Sequence, residues 1–147
     1  MSCAPWGTAI AACDPDFRGS WKLNEKRSDI RNAPRPHAAH LTIKPHGEGP
    51  HCSLEVLENE SGATWHVSTG DKENRDRFDD GTMNTKAKWE GSALLINSLV
   101  NGKTRSYTRM DRWRLSRDGA TLRIVNTIVD RRGEIESVLV YERQAVP

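Results

Sequence analysis

From Phe17 onward, apolar and polar residues alternate in short runs that end at turn residues, the pattern of half-buried antiparallel strands rather than of helices. Nine segments carry it: Phe17 to Asn24, Ala39 to Lys44, Cys52 to Glu58, Ala63 to Thr69, Met83 to Trp89, Ala93 to Val100, Thr104 to Ser116, Thr121 to Val129 and Glu134 to Arg143. Between them stand short connections such as Glu60-Ser61-Gly62, Glu90-Gly91-Ser92 and Arg131-Arg132-Gly133, each with a glycine able to take the positive φ of a tight hairpin. Consecutive strands are therefore expected to pair. A meander of this size avoids two open edges by closing on itself, so the predicted fold is all-β, a single closed up-and-down antiparallel β-barrel of about 8–10 strands. Residues 1–16 read as a flexible N-terminal tail and residues 17–144 as the barrel domain.

Two segments interrupt the rhythm. Glu25 to Ala38 contains Pro34 and Pro36 and reads as a crossover loop, with one helical turn expected around Ser28 to Asn32, capped by Ser28. Gly70 to Thr82 is rich in charge, has a lone aromatic in Phe78, and reads as a long loop of the kind that is functional or mobile.

Composition narrows the partners. With 147 residues, 35% of them hydrophobic, the chain can bury a core as one domain. The net charge of +2 is spread over mixed signs without a basic stripe, which argues against nucleic acid, and no apolar run approaches the ~20 residues of a membrane helix. Three cysteines, Cys3, Cys13 and Cys52, show no metal-ligand spacing, and one disulfide plus one free thiol is open without a preferred pairing. Ala9-Ile10-Ala11 has the form of a signal cleavage site and Ile10 to Cys13 that of a lipobox, but no charged n-region precedes them. As given, the chain reads as cytoplasmic, with a periplasmic or secreted location open to a natural precursor carrying a longer signal.

Phe17-Arg18-Gly19-Ser20-Trp21-Lys22-Leu23 resembles the opening strand of the calycin superfamily, the lipocalins and fatty-acid-binding proteins. Val140-Tyr141-Glu142-Arg143 is similar to the last strand of a fatty-acid-binding protein. The resemblance implies a lipocalin-like barrel in which Gly19 and Trp21 set an indole across the closed end and Arg143 packs over it. Among these relatives, small bacterial lipocalin-like proteins are the nearest in character.

A strand period of two, with Trp21 facing inward, assigns the interior. On the long segment Thr104 to Ser116 it turns Tyr107, Arg109, Asp111, Trp113 and Leu115 to one face. An interior arginine and aspartate imply a salt bridge, bound water or a polar ligand, because unpaired they cost several kcal/mol. The expected function is binding of a small, mostly apolar molecule with a polar or acidic group. Trp65, Trp89 and Tyr141 supply walls, Arg109 meets the polar group, and Asn126 and His40 are further candidates. The alternative is an enzyme in the same cavity, an isomerase, cyclase, lyase or hydrolase, with Asp111 as general acid or base and Tyr107 as donor to an oxyanion. The histidines His37, His40, His46 and His51 read as solvated loop residues and His66 as outward-facing, so no metal and no cofactor is expected. Either a monomer or a homodimer fits.

Overall fold

The computed structural model describes residues 13–33, 35–47 and 50–145. They form β1 (Gly19–Leu23), a single 3-10 turn (Glu25–Arg27), β2 (His40–Pro45), β3 (Ser53–Glu58), β4 (Ala63–Ser68), β5 (Asn74–Phe78), β6 (Gly81–Glu90), β7 (Ala93–Asn101), β8 (Ser106–Leu115), β9 (Thr121–Asp130) and β10 (Gly133–Arg143). All ten strands belong to one antiparallel sheet in the order β4-β3-β2-β1-β10-β9-β8-β7-β6-β5. The first and last strands pair directly, Trp21 opposite Arg143, so the meander curls round into a nearly closed barrel.

Nine of the ten strands coincide with the alternating segments, with ends shifted by one or two residues. The tenth, β5, lies inside the stretch expected to be a loop. Asn74-Arg75-Asp76-Arg77-Phe78 offers only one apolar side chain, Phe78, so its period was hidden; left-handed Asp71 (φ 64°) and Asp79 (φ 53°) turn the chain on either side of it. The helical turn is also displaced. It covers Glu25–Arg27, Asn24 caps it by accepting from the Arg27 N–H, and Ser28 ends it. Ser28 is used otherwise: its hydroxyl donates to Asn24 O (2.7 Å) and accepts from Val140 N (2.9 Å), tying the crossover to β10.

Closure is achieved without a full ladder. β4 and β5 are the two free edges, and between them side chains replace backbone bonds: Asp76 accepts from the His66 amide (2.9 Å) and Asn74 donates to Ser68 Oγ (3.1 Å). The expected complete closure therefore becomes a seam. Its physical cause is the polar β5, whose charged side chains protect an edge that an apolar strand would leave sticky.

At the closed end, Trp21 is fully buried and donates through Nε1 to Phe17 O (2.9 Å). The Arg143 guanidinium lies 4.3 Å from the indole and donates to the carbonyls of Gly119, Arg18 and Asp16. Gly19 is required here, since its φ is +138° and a Cβ would stand 2.6 Å from Arg143 Nη1. Phe17 packs edge-on to Trp113 (5.5 Å) and stacks on Trp89 (6.1 Å), completing an aromatic floor. Residues 1–12 of the expected tail lie outside the described residues, but Cys13 is buried and bonded to Cys52, which fastens the segment before β1 to the start of β3.

That disulfide spans 39 residues, and closing such a loop in the unfolded chain is worth about 4 kcal/mol. A Cys13→Ala/Cys52→Ala double variant is expected to lose about that much in urea unfolding while keeping the barrel's circular dichroism.

Candidate functional site

The open end of the barrel is covered by the Pro-rich crossover. Residues 33 and 35–38 lie across the mouth and are fastened at two places. Arg35 binds Glu58 (2.6 Å) and Asp79 (2.9 Å), its guanidinium 4.5 Å from the Phe78 ring. Tyr141, from β10, donates its hydroxyl to Ala38 O (2.7 Å). This strap runs without regular structure because prolines remove donors and disfavour helix.

Beneath it, parity places charge in the interior. β8 turns Tyr107, Arg109, Asp111 and Trp113 inward, and β3, after Leu54 and Val56, delivers Glu58. Arg109 lies 3.6 Å from Glu58 and 3.3 Å from Asp111, with the Trp65 ring 5.2 Å from its guanidinium. Glu58 also accepts from Trp65 Nε1 (3.1 Å), while Asp111 accepts from Asn126 Nδ2 (2.6 Å) and Trp113 Nε1 (3.4 Å). Asp79, Arg35, Glu58, Arg109 and Asp111 thus alternate in sign from rim to interior. Such a chain is tolerable in low dielectric because each ion has an opposite neighbour.

The titrations follow from these contacts. Burial would raise the Glu58 carboxyl, but Arg109 and Arg35 outweigh it and hold the group below its usual range. Burial opposes the charge on Arg109 too, yet Asp111 and Glu58 hold its guanidinium protonated more firmly than usual. His37 goes the other way: burial, reinforced by Arg109, lowers it, so its imidazole favours the neutral form. Burial raises both Tyr107 and Tyr141, keeping them as neutral donors.

Strap and charges border a partly open cavity of about 30 Å³, lined by His37 on the strap, Glu58, Trp65, Tyr107, Arg109 and Asn126 among others. Three buried polar atoms of the described residues have no hydrogen-bond partner: His37 Nε2, Tyr107 OH and Asn126 Oδ1. All three belong to residues lining this one cavity. Buried polar atoms are usually paired, so these three give the cavity a polar lining beside its apolar walls.

Of the residues anticipated from sequence, Trp65, Tyr107, Arg109, Asn126 and Tyr141 come together around this cavity. Asp111 stands behind Arg109, occupied by three donors. Trp89 is elsewhere, in the aromatic floor against Phe17, because its position near the end of β6 is at the closed end. His40 is elsewhere too, on the outside, its Nδ1 2.5 Å from Glu60. Sequence reasoning missed Glu58, Arg35 and His37. Continuing the period of two past Leu54 and Val56 reaches Glu58; Arg35 and His37 lie on a loop with no period to read.

Two histidines give the pH dependence of stability opposite signs. The unfolded chain binds a proton to His37 near pH 6.5 and the folded chain does so only lower, so this group withdraws stability as pH falls below about 6.5. For His66, burial alone would lower the imidazole, but Asp76 and Glu55 hold it above its usual value. It adds stability that is fully present below pH 6.5 and lost as pH rises through the folded value. Thermal unfolding between pH 5 and 8 is expected to show His37→Gln reducing the acid-side loss and His66→Gln reducing the alkaline-side loss.

No protein-family description matches the chain, and no curated protein matches it. Among solved structures, the barrel is similar to a secretary abundant heat soluble (SAHS) protein from Ramazzottius varieornatus, crystallised from a dimer sample. The TM-score is 0.60 at 13% identity, covering 87% of this chain and 95% of that one. At that identity the likeness is one of fold, and it agrees with the ten-stranded barrel derived above.

Proposed function

We propose that the barrel binds a small, mostly apolar molecule whose polar or acidic group is received beside Arg109, and that the strap lifts to admit it. The observation carrying this reading is the convergence of three unpaired polar atoms on one internal cavity, next to a guanidinium. Trp65, Trp113, Ile124 and Leu139 supply apolar walls around it. At about 30 Å³ the cavity accommodates about one water, far below the ~300 Å³ at which small-molecule pockets begin. A ligand therefore takes the room now held by Arg35 and His37. Lys103, Arg131 and Arg132 border a cleft beside Ala33, a cationic approach for an acidic group. Gly19, Trp21 and Arg143 at the closed end support placing the barrel with the calycins.

Catalysis by Asp111 has weaker support, because its carboxylate is engaged by Arg109, Asn126 and Trp113 and does not border the cavity. No helix of the described residues is long and apolar enough to cross a membrane. The Cys13–Cys52 disulfide favours an oxidising compartment, the periplasm or the exterior, over the cytoplasm.

Anilinonaphthalene sulfonate, an apolar molecule with one anionic group, tests the proposal through its own fluorescence and quenching of Trp65. Arg35→Ala unfastens the strap and is expected to tighten binding several-fold. Arg109→Met removes a charge-assisted contact worth about 1.5–3 kcal/mol and is expected to weaken binding at least tenfold. Unchanged binding in Arg35→Ala, with its fold checked by circular dichroism, contradicts the reading even if Arg109→Met folds poorly.

A further inference from the structure

A second site lies on the outer wall, away from the cavity. The same alternation that turns Leu54, Val56, Trp65 and Val67 inward turns Glu55 on β3 and His66 on β4 outward, directly opposite each other in the ladder. His46 follows β2, and its amide bonds Ser53 O (2.9 Å), continuing the β2–β3 ladder by one residue and setting His46 on that outer face. Three neighbouring strands thus deliver two imidazoles and a carboxylate to one point. Their ligating atoms all lie within 4.8 Å of one another, and the two imidazole rings are 4.1 Å apart.

We propose that His46, Glu55 and His66 bind a divalent first-row transition metal of the zinc class, leaving one coordination position open to solvent. The donor set, two nitrogens and one carboxylate oxygen, suits zinc and its neighbours and not calcium or magnesium, which select oxygen. His66 Nε2 and Glu55 Oε1 are 3.2 Å apart, close to the roughly 3.3 Å edge that bonds of 2.0–2.1 Å make in a tetrahedron. His66 Nδ1 is taken by Asp76 Oδ1 at 2.7 Å, and Asp76 also accepts from the His66 amide. That is the carboxylate–histidine arrangement that fixes the tautomer and leaves Nε2 as the ligating nitrogen. A salt bridge of His66 between Asp76 and Glu55 explains those three residues alone. It does not explain His46, which has no side-chain hydrogen bond among the described residues and still converges on the same point. Because Asp76 belongs to β5, metal held here also tightens the barrel's one seam.

The test is titration of the untagged full chain with zinc chloride by calorimetry, together with the absorption spectrum of the cobalt(II) form. One ion per chain, a strong four-coordinate cobalt spectrum and a metal-dependent rise in thermal midpoint are expected. His46→Ala and Glu55→Gln should each weaken zinc at least tenfold, Asp76→Asn by roughly tenfold, and His40→Ala and His51→Ala not at all. His46→Ala breaks no side-chain hydrogen bond, so its fold is not in question. Absence of stoichiometric uptake, or uptake that survives His46→Ala, overturns the site.

Discussion

The Arg109 guanidinium inside the barrel is the constraint on which the upper half of the molecule depends. A cation there is affordable only with opposite charge at hand, and Glu58 and Asp111 stand on either side of it. Each carboxylate has further oxygen valences to satisfy, which recruits the Trp65 and Trp113 indoles and the Asn126 amide. Glu58 then holds Arg35, and through Arg35 the strap is drawn over the mouth. One buried charge thereby fixes the rotamers of the cavity wall and the position of its cover.

The two ends of the barrel are stabilised in different ways. The lower end is an aromatic floor of Trp21, Phe17, Trp113 and Trp89 sealed by Arg143. The upper end is held to the strap by charge and hydrogen bonds, Arg35 to Glu58 and Asp79 and the Tyr141 hydroxyl to Ala38 O. The floor is thus held by aromatic packing and the cover by polar contacts. The seam between β4 and β5 is a third kind of contact, side chain to side chain, and its centre is His66 with Asp76.

The barrel was legible because alternation over nine segments admits one sheet architecture, and because Gly19, Trp21 and Arg143 mark its closed end. The strand β5 was not, since a polar edge strand lacks the apolar alternation that reveals the others. In the site, Tyr107, Arg109 and Asp111 were readable from parity on β8, and Asn126 from β9. Trp89 illustrates the limit: parity says which face a residue takes but not how deep along the barrel it lies. Arg35 and His37 come from an aperiodic loop whose path is set by ion pairs across 23 and 44 residues, and no local pattern encodes those. The convergence of His46, Glu55 and His66 likewise depends on three strands in register.

The central claim is that Arg109 receives the polar end of a ligand within the barrel. The most direct measurement follows the Arg109 Nε–Hε and Trp65 Nε1–H resonances by NMR during titration with dodecanoate, an apolar chain ending in a carboxylate. The account predicts saturable shifts of both resonances together, with the strap amides of Arg35 and His37 moving in step. Shifts confined to the exposed rim at Lys103, Arg131 and Arg132, with Arg109 and Trp65 unmoved at saturation, would contradict it.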